Sequence, residues 1–98
     1  MLEIRRTNEF TTWVRGLSDH NARAKIFVRI DRLRAGNPGD VKSVGQGVSE
    51  MRINHGPGYR VYFAQRGLVL VLLLCGGTKG TQANDIAAAK ALAEQWTE

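Results

Sequence analysis

The chain has 98 residues, enough for one small domain with its own core and too few for a second. Its 14 lysine and arginine residues against 9 aspartate and glutamate residues give a formal charge of +5, which favours an anionic partner such as nucleic acid or an acidic protein. One cysteine excludes a disulfide framework, and two histidines with it are too widely spaced for a metal site. The sequence shows no leader and no transmembrane run, so we expect a cytoplasmic protein with no cofactor and no membrane partner.

The N-terminal third predicts a short strand and two helices. Leu2 and Ile4 alternate with charged residues and predict an edge strand over residues 1–6. Thr7 is placed to cap a first helix, and Ser18 or Asp19 to cap a second that runs to about residue 35. The inward residues of the first helix are Phe10, Trp13, Val14 and Leu17. Those of the second are Ala22, Ile26, Ile30 and Leu33.

The other side of the second helix is basic. Lys25, Arg29 and Arg32 follow one another at i, i+4 and i+7 and therefore share one face. Such a row can bind successive phosphates of a nucleic acid, although the same pattern is common on solvated helix faces. The next stretch, residues 36–47, holds four glycines and a proline and predicts a loop.

The following residues predict an antiparallel hairpin that turns at residues 55–58, His-Gly-Pro-Gly. The register then pairs Arg52 with Arg60, Glu50 with Tyr62, and Met51 with Val61. Apolar residues fall on one side of this hairpin and polar residues on the other, so each strand is expected to be half-buried. Facing arginines repel unless an anion or a carboxylate lies between them, and Glu50 is the acid available in these strands. This arrangement indicates a site.

The most apolar stretch, residues 68–75, predicts a strand buried on both faces, with Cys75 as a packed core thiol. Residues 76–80 predict a flexible turn that holds Lys79, and Thr81 is placed to cap a final helix. The inward residues of that helix are Ile86, Ala89, Ala93 and Trp96. The order of elements predicts one α+β domain over residues 1–98, with a small, mainly antiparallel sheet, two helices on its apolar face and a C-terminal helix.

The polar side of the hairpin carries side chains suited to phosphate chemistry. Cleavage of RNA through its own 2′-hydroxyl needs a base for that hydroxyl, cations for the charge that builds on phosphorus and an acid for the leaving oxygen. The candidate cations are Arg52, Arg60 and Lys79. The candidates for the base are Glu50 and His55. The candidates for the acid are His55, Tyr62 and Tyr59. We also expect Tyr59 to contact substrate. A solvated structural face is the alternative. Replacing Arg60 with alanine is expected to cost little stability, because it removes one of two repelling arginines.

Three segments resemble the HigB-like, phage Gp49-like branch of the RelE/ParE toxin superfamily: SEMRI, GPGYRVYF and LLLCGGTKGTQANDIAAA. With the opening strand and the GNPGDVK loop, the resemblance covers nearly the whole chain. It implies a RelE-like fold and the toxin of a type II toxin–antitoxin pair, and RelE-like members cut messenger RNA on the ribosome. The implied partners are an antitoxin, expected to be a small helix-turn-helix protein, and messenger RNA with the ribosome.

By position, the resemblance gives Arg60 the role of the arginine that stabilises the scissile phosphate, with Arg52 and Lys79 at neighbouring basic positions. The tyrosine that RelE carries late in its sequence is missing here, and Asp85 lies near its place. Glu50 stands where RelE has a lysine. The resemblance therefore assigns neither the general acid nor the general base. The resemblance favours an endoribonuclease that inhibits translation. A ParE-like, non-enzymatic poison of DNA gyrase is the alternative on the same fold, and an RNA-binding module is a third.

Overall fold

A computed structural model describes residues 1–96 of the chain, in which five strands form one sheet and three helices cover it. In chain order the elements are β1 (Glu3–Arg6), α1 (Asn8–Arg15), α2 (His20–Arg34), β2 (Val41–Gly45), β3 (Val48–Ile53), β4 (Tyr59–Arg66), β5 (Leu70–Thr78), a 3₁₀ turn (Lys79–Thr81) and α3 (Gln82–Gln95). The strand order is β1-β5-β4-β3-β2, with β1 parallel to β5 and the other pairs antiparallel. This confirms the predicted α+β class. Within residues 1–96, no helix has the length and hydrophobicity needed to cross a membrane.

The two N-terminal helices begin where the sequence predicts. Thr7 Oγ1 accepts a hydrogen bond from Phe10 N at 3.0 Å, and Asp19 Oδ1 accepts from Asn21 N at 3.0 Å and from Ala22 N at 3.1 Å. Each side chain thereby satisfies N–H groups that have no partner within the first helical turn. The two helices pack on one face of the sheet, and their buried residues are Phe10, Val14, Ala22, Ile26, Ile30 and Leu33.

Helix α3 covers the opposite face of the sheet, which the alternation along the hairpin predicted to be solvated. Ala89 and Ala93 of this helix are buried, and their small side chains let it approach the strands closely. They pack in one cluster with Val48, Tyr62, Ala64, Leu72, Leu74 and Cys75. The central strands β3 and β4 are therefore buried on both faces, and the expectation of half-buried strands is wrong.

The predicted register of the β3–β4 hairpin is confirmed. Arg52 pairs with Arg60, Glu50 with Tyr62, and Met51 with Val61. The predicted loop over residues 36–47 is wrong in its second half, because β2 forms there and pairs with β3. Gln46 and Gly47 join these two strands with φ angles of 55° and 75°. Two consecutive positive φ angles are the geometry of a type I′ turn, whose twist suits a tight hairpin.

The buried strand β5 begins two residues later than the apolar run suggests. Leu68 and Val69 lie in the preceding turn and are exposed, whereas the strand runs from Leu70 to Thr78. Cys75 is a core thiol, as predicted. Burial, and then the charge of Asp85, raises the pKa of Cys75 to about 12, so the thiol stays protonated.

Two glycines lie inside β5, where the sequence predicted a flexible turn. A Cβ atom at Gly76 would lie 2.2 Å from Trp13 Cζ3, and one at Gly77 would lie 1.7 Å from Asp85 Oδ2. The missing side chains therefore let α1 and α3 approach the strand from opposite faces. Thr81 occupies the N-cap position of α3, but its hydroxyl donates to Asp85 rather than accepting a helix N–H.

Candidate active site

A buried carboxylate lies between two arginines near the turn of the β3–β4 hairpin. The alternation of the strands sends Arg52, Arg60, Glu50 and Tyr62 to the face covered by α3. Arg52 Nε donates to Glu50 Oε2 at 3.1 Å, and Arg60 Nε lies 3.4 Å from Glu50 Oε1. The carboxylate offsets the repulsion between the facing guanidinium groups. The predicted register required an anion or a carboxylate at this place.

Two neutral side chains complete the surroundings of this carboxylate. Tyr62 OH donates to Glu50 Oε1 at 3.1 Å, and Gln82 Nε2, from the first turn of α3, donates to the same oxygen at 2.7 Å. The Glu50 side chain is fully buried, and a buried charge is tolerated only when its oxygens find such partners. We name Glu50, Arg52, Arg60, Tyr62 and Gln82 the arginine cluster. Sequence reasoning missed Gln82, because its contact depends on how α3 docks.

The protonation states of the arginine cluster follow from these contacts. Burial raises the pKa of Glu50, but hydrogen bonds from Arg52, Gln82 and Tyr62 and the charge of Arg60 outweigh it, so the pKa lies below the ordinary 4.5. Burial, and then the charge of Glu50, raises the pKa of Tyr62. At neutral pH the carboxyl is therefore ionised and the phenol protonated. The sequence predicted both groups on a solvated face, and the structure buries both.

A third cation, Lys79, lies beside the arginine cluster. Arg60 Nη1 donates to Gly58 O at 3.3 Å, and the backbone N–H of Lys79 donates to the same carbonyl at 2.9 Å. Gly58 has a φ of 80°, and a Cβ atom there would lie 3.4 Å from Lys79 Cβ. The structure thus brings together the three predicted cations, Arg52, Arg60 and Lys79. Lys79 is exposed, while the side chains of Arg52 and Arg60 are 36% and 11% exposed.

The predicted site residues His55 and Tyr59 lie toward the α1–α2 side instead. His55 Nε2 and Asp19 Oδ2 are 2.9 Å apart, and the imidazole stacks on the Tyr59 ring with centroids 6.4 Å apart. Tyr59 is 9% exposed and packs edge-on against Trp13, so it belongs to the core, and its contact with substrate stays a prediction. The register that sends Arg60 to one face sends its neighbour to the other. His55 remains 23% exposed.

The basic face of α2 is only partly free. Arg29 donates from Nη1 to the carbonyl oxygen of Arg52 at 2.5 Å and from Nη2 to that of Pro38 at 3.1 Å. Its guanidinium thus links α2 to β3 and to the loop that follows the helix, and its place in a row of phosphate-binding cations stays a prediction. Lys25 and Arg32 are exposed and border a cavity of about 380 Å³.

The contacts gather positive charge at the arginine cluster and Lys79. Within residues 1–96, no group of three or more histidine, cysteine, aspartate or glutamate side chains could hold a metal ion. Arg52, Arg60 and Lys79 carry three positive charges and Glu50 one negative charge, which leaves a formal charge of +2. A phosphate group is the common biological anion that such a set of donors fits.

Comparison with known proteins places the chain in a family. The family model described as "Phage derived protein Gp49-like (DUF891)" matches residues 12–96. An uncharacterized protein from Haemophilus influenzae is 50% identical over 94 residues, which cover 96% of this chain and 95% of that protein. No solved structure matches the chain. The Gp49-like family is associated with the toxins of toxin–antitoxin systems, which implies an antitoxin as partner. The chain belongs to the Gp49-like family of phage-derived proteins.

Proposed function

We propose that the chain is the toxin of a type II toxin–antitoxin pair and that it cleaves messenger RNA on the ribosome. The observation that carries this proposal is the pair of Arg52 and Arg60, held on one buried carboxylate beside Lys79. Membership of the Gp49-like family supports the toxin part. The resemblance of the hairpin to RelE-like toxins supports the nuclease part.

The arginine cluster suits a phosphodiester that gains negative charge during cleavage. Glu50 accepts a hydrogen bond from Arg52 Nε and forms an ion pair with Arg60, whose Nε lies 3.4 Å from Oε1 and finds no hydrogen-bond partner within residues 1–96. Both guanidinium groups are thereby held beside the carboxylate before substrate arrives. Donors that are already oriented stabilise a transition state without reorganising at the moment of reaction. We assign Arg60 to the scissile phosphate, with the more exposed Arg52 and Lys79 on neighbouring oxygens. Glu50 then acts by positioning the arginines, and it does not take a proton.

Cleavage also requires two proton transfers. The 2′-hydroxyl oxygen attacks phosphorus as its proton passes to a base; the bond to the 5′-oxygen breaks, and that oxygen takes a proton from an acid. The products are a 2′,3′-cyclic phosphate and a 5′-hydroxyl. Of the residues predicted for these steps, Glu50, Tyr62 and Tyr59 are buried, which leaves His55.

We assign His55 to one of these two proton transfers, since imidazole is the side chain that most often serves as a general acid or base. Its side chain lies toward α1 and α2, and its backbone is linked to the arginine cluster through the hairpin turn, where Gly58 N donates to His55 O at 3.1 Å and Gly58 O accepts from Arg60. The bond between His55 Nε2 and Asp19 leaves Nδ1 for substrate. Asp19 was predicted only as a helix cap, and its second oxygen gives it this further contact.

The proposal is tested by inducing the chain in growing cells without an antitoxin and mapping the 5′ ends of messages. A ribosome-dependent nuclease should arrest growth and produce new 5′ ends inside translated regions. Growth arrest with intact messages and broken DNA would instead indicate a gyrase poison and overturn the nuclease. Normal growth with abundant, folded protein would overturn the toxin assignment itself.

A further inference from the structure

A second surface lies far from the arginine cluster, between the C-terminal end of α2 and the β4–β5 turn. A cavity of about 570 Å³ opens there, which we name the far-end groove. Residues that line it include Leu2, Leu33, Arg34, Phe63, Leu68 and Val69. Gln65, also in its wall, is five residues along β4 from Arg60, or about 17 Å at the usual rise of a strand.

The exposed apolar side chains of the molecule gather at this groove. Leu68 is 90% exposed and Val69 is 62% exposed, and both line it. Within residues 1–96, the large apolar side chains that are exposed are Met1, Val28, Leu68 and Val69, and all but Val28 belong to the groove. Single exposed apolar residues are ordinary, but a group of them around a cavity is typical of an interaction surface.

The groove and the arginine cluster are separate surfaces. Phe63, in the floor of the groove, packs with the α1–α2 core, whereas Arg60 faces α3. None of the lining residues belongs to the arginine cluster. The proposed nuclease chemistry therefore leaves the exposed leucine and valine unexplained.

Charge decides which kind of partner fits. Among the residues of 1–96 that line the groove, Arg34 is the one whose side chain ionises, and none carries a carboxylate. The whole chain carries +5, so two copies docked through this surface would bring like charges together. Arg34 pairs with Asp31 at 3.2 Å, but the pair is exposed, and such pairs are weak enough to exchange for a partner's carboxylate. An acidic protein segment with apolar side chains matches both features.

We propose that the antitoxin docks in the far-end groove, with apolar side chains against Leu68, Val69 and Phe63 and a carboxylate against Arg34. This inference rests on the toxin assignment of the proposed function and not on the nuclease chemistry. Because the groove lies on the other face of the sheet from the arginine cluster, the antitoxin and an RNA phosphate occupy different surfaces.

The test measures binding between the purified chain and the product of the open reading frame that adjoins its gene, by titration calorimetry. Leu68→Asp places a charge in the groove at a position too exposed to disturb the core. Losing the burial of one leucine should weaken the Kd roughly tenfold to a hundredfold. Val28→Asp is the matched control, since Val28 is an exposed apolar residue on α2 outside the groove. It should leave the Kd unchanged within about twofold.

Several results would overturn the proposal. The parent and Leu68→Asp could bind the antitoxin equally well. Val28→Asp could lose binding while Leu68→Asp keeps it. The parent itself could fail to bind. A parent dimer in sedimentation that Leu68→Asp dissociates would assign the groove to a second copy. Leu68→Asp should keep the parent's activity on messages. If the parent cleaves nothing but binds through Leu68, the nuclease proposal fails and the docking proposal stands.

Discussion

Arg60 and Glu50 form an ion pair that is almost hidden from solvent, with Nε 3.4 Å from Oε1 and side-chain exposures of 11% and 0%. The pair joins β4 to β3, and Gln82 joins the same carboxylate to α3. Burying an ion is unfavourable unless the surrounding donors satisfy it, and breaking such a pair strands the remaining charge. One carboxylate therefore stabilises the fold and also positions the proposed phosphate-binding groups.

Replacing Glu50 tests the first of these roles. Glu50→Gln preserves the shape but leaves Arg60 and Arg52 facing each other without a counter-charge. We expect the free energy of unfolding, measured by urea denaturation, to fall by about 3 kcal/mol, the lower end for buried pairs because Arg52 is 36% exposed. The control is Glu3→Gln, which breaks the exposed pair with Arg5 and should change stability by less than about 0.5 kcal/mol. Equal, small changes in both variants would contradict a structural role for the buried carboxylate.

The packing of α1 on β5 predicts that Gly76 cannot accept a side chain. A methyl group there would lie 2.2 Å from the Trp13 ring, so Gly76→Ala must move the helix or the strand. We expect a loss of about 1 to 3 kcal/mol in a thermal or urea unfolding experiment. Gly80→Ala is the matched control, because the nearest atom to its Cβ position is Thr78 Oγ1 at 3.7 Å. If both glycines tolerated alanine equally, the close contact between ring and strand would be wrong.

Stability should depend on Asp19 at acid pH. The hydrogen bond with His55, and then that with the backbone N–H of Ala22, lowers the pKa of Asp19 from 3.8. A carboxyl whose folded pKa is lowered stabilises the fold above its unfolded pKa, and this contribution is lost as the pH falls through the folded pKa. The parent should therefore lose part of its stability as the pH falls below about 4.

Asp19→Asn isolates this effect, because asparagine also caps helices well but does not ionise. Urea midpoints at about pH 6 and about pH 3 should differ more in the parent than in the variant. If the urea midpoint fell by the same amount in the parent and in Asp19→Asn, other carboxyl groups would be the cause of the acid sensitivity.

The features that could be predicted from sequence depend on local spacing. Thr7 and Asp19 start helices because a short polar side chain before an apolar period can satisfy free N–H groups. The pairing of Arg52 with Arg60 follows from the turn, since one residue of slippage would mix the apolar and polar faces.

The features that could not be predicted depend on α3. The alternation along β3 and β4 is that of a sheet with one solvated face, yet Glu50 and Tyr62 are buried because they satisfy each other and Gln82. Nothing in the periodicity distinguishes a polar residue that faces water from one paired beneath a helix. The close approach of α3 depends on Gly77, because Asp85 occupies the space in which a side chain at that position would lie. A glycine pair after an apolar run is typical of a turn, and here it marks the contact of two helices with one strand.

Val61 provides a control that separates fold from chemistry. It is fully buried on the α1–α2 face, next to Arg60 in sequence but on the other side of the sheet. Val61→Ala should lower the free energy of unfolding by about 2 kcal/mol. Its cleavage rate per folded molecule should equal that of the parent. A large loss of that rate would contradict the assignment of the chemistry to the face covered by α3.

The ion pair with Glu50 corrects the expectation that Arg60 can be removed at little cost. Arg60→Ala leaves the buried carboxylate with one partner fewer, and we expect a loss of about 1.5 to 3 kcal/mol in urea denaturation. Activity must therefore be compared at a temperature where the variant and the parent are equally folded by circular dichroism. An unchanged midpoint would mean that Arg52, Tyr62 and Gln82 satisfy the carboxylate without Arg60.

The single-turnover rate of cleavage of ribosome-bound message by Arg60→Ala tests the central claim most directly. Removing one oriented donor to the transition state should slow the rate roughly a hundredfold to a thousandfold. Arg5→Ala, which removes the same charge from the exposed edge strand, should cleave like the parent. A folded Arg60→Ala protein that cleaves message at the parent's rate would contradict the assignment of the arginine cluster as the catalytic site.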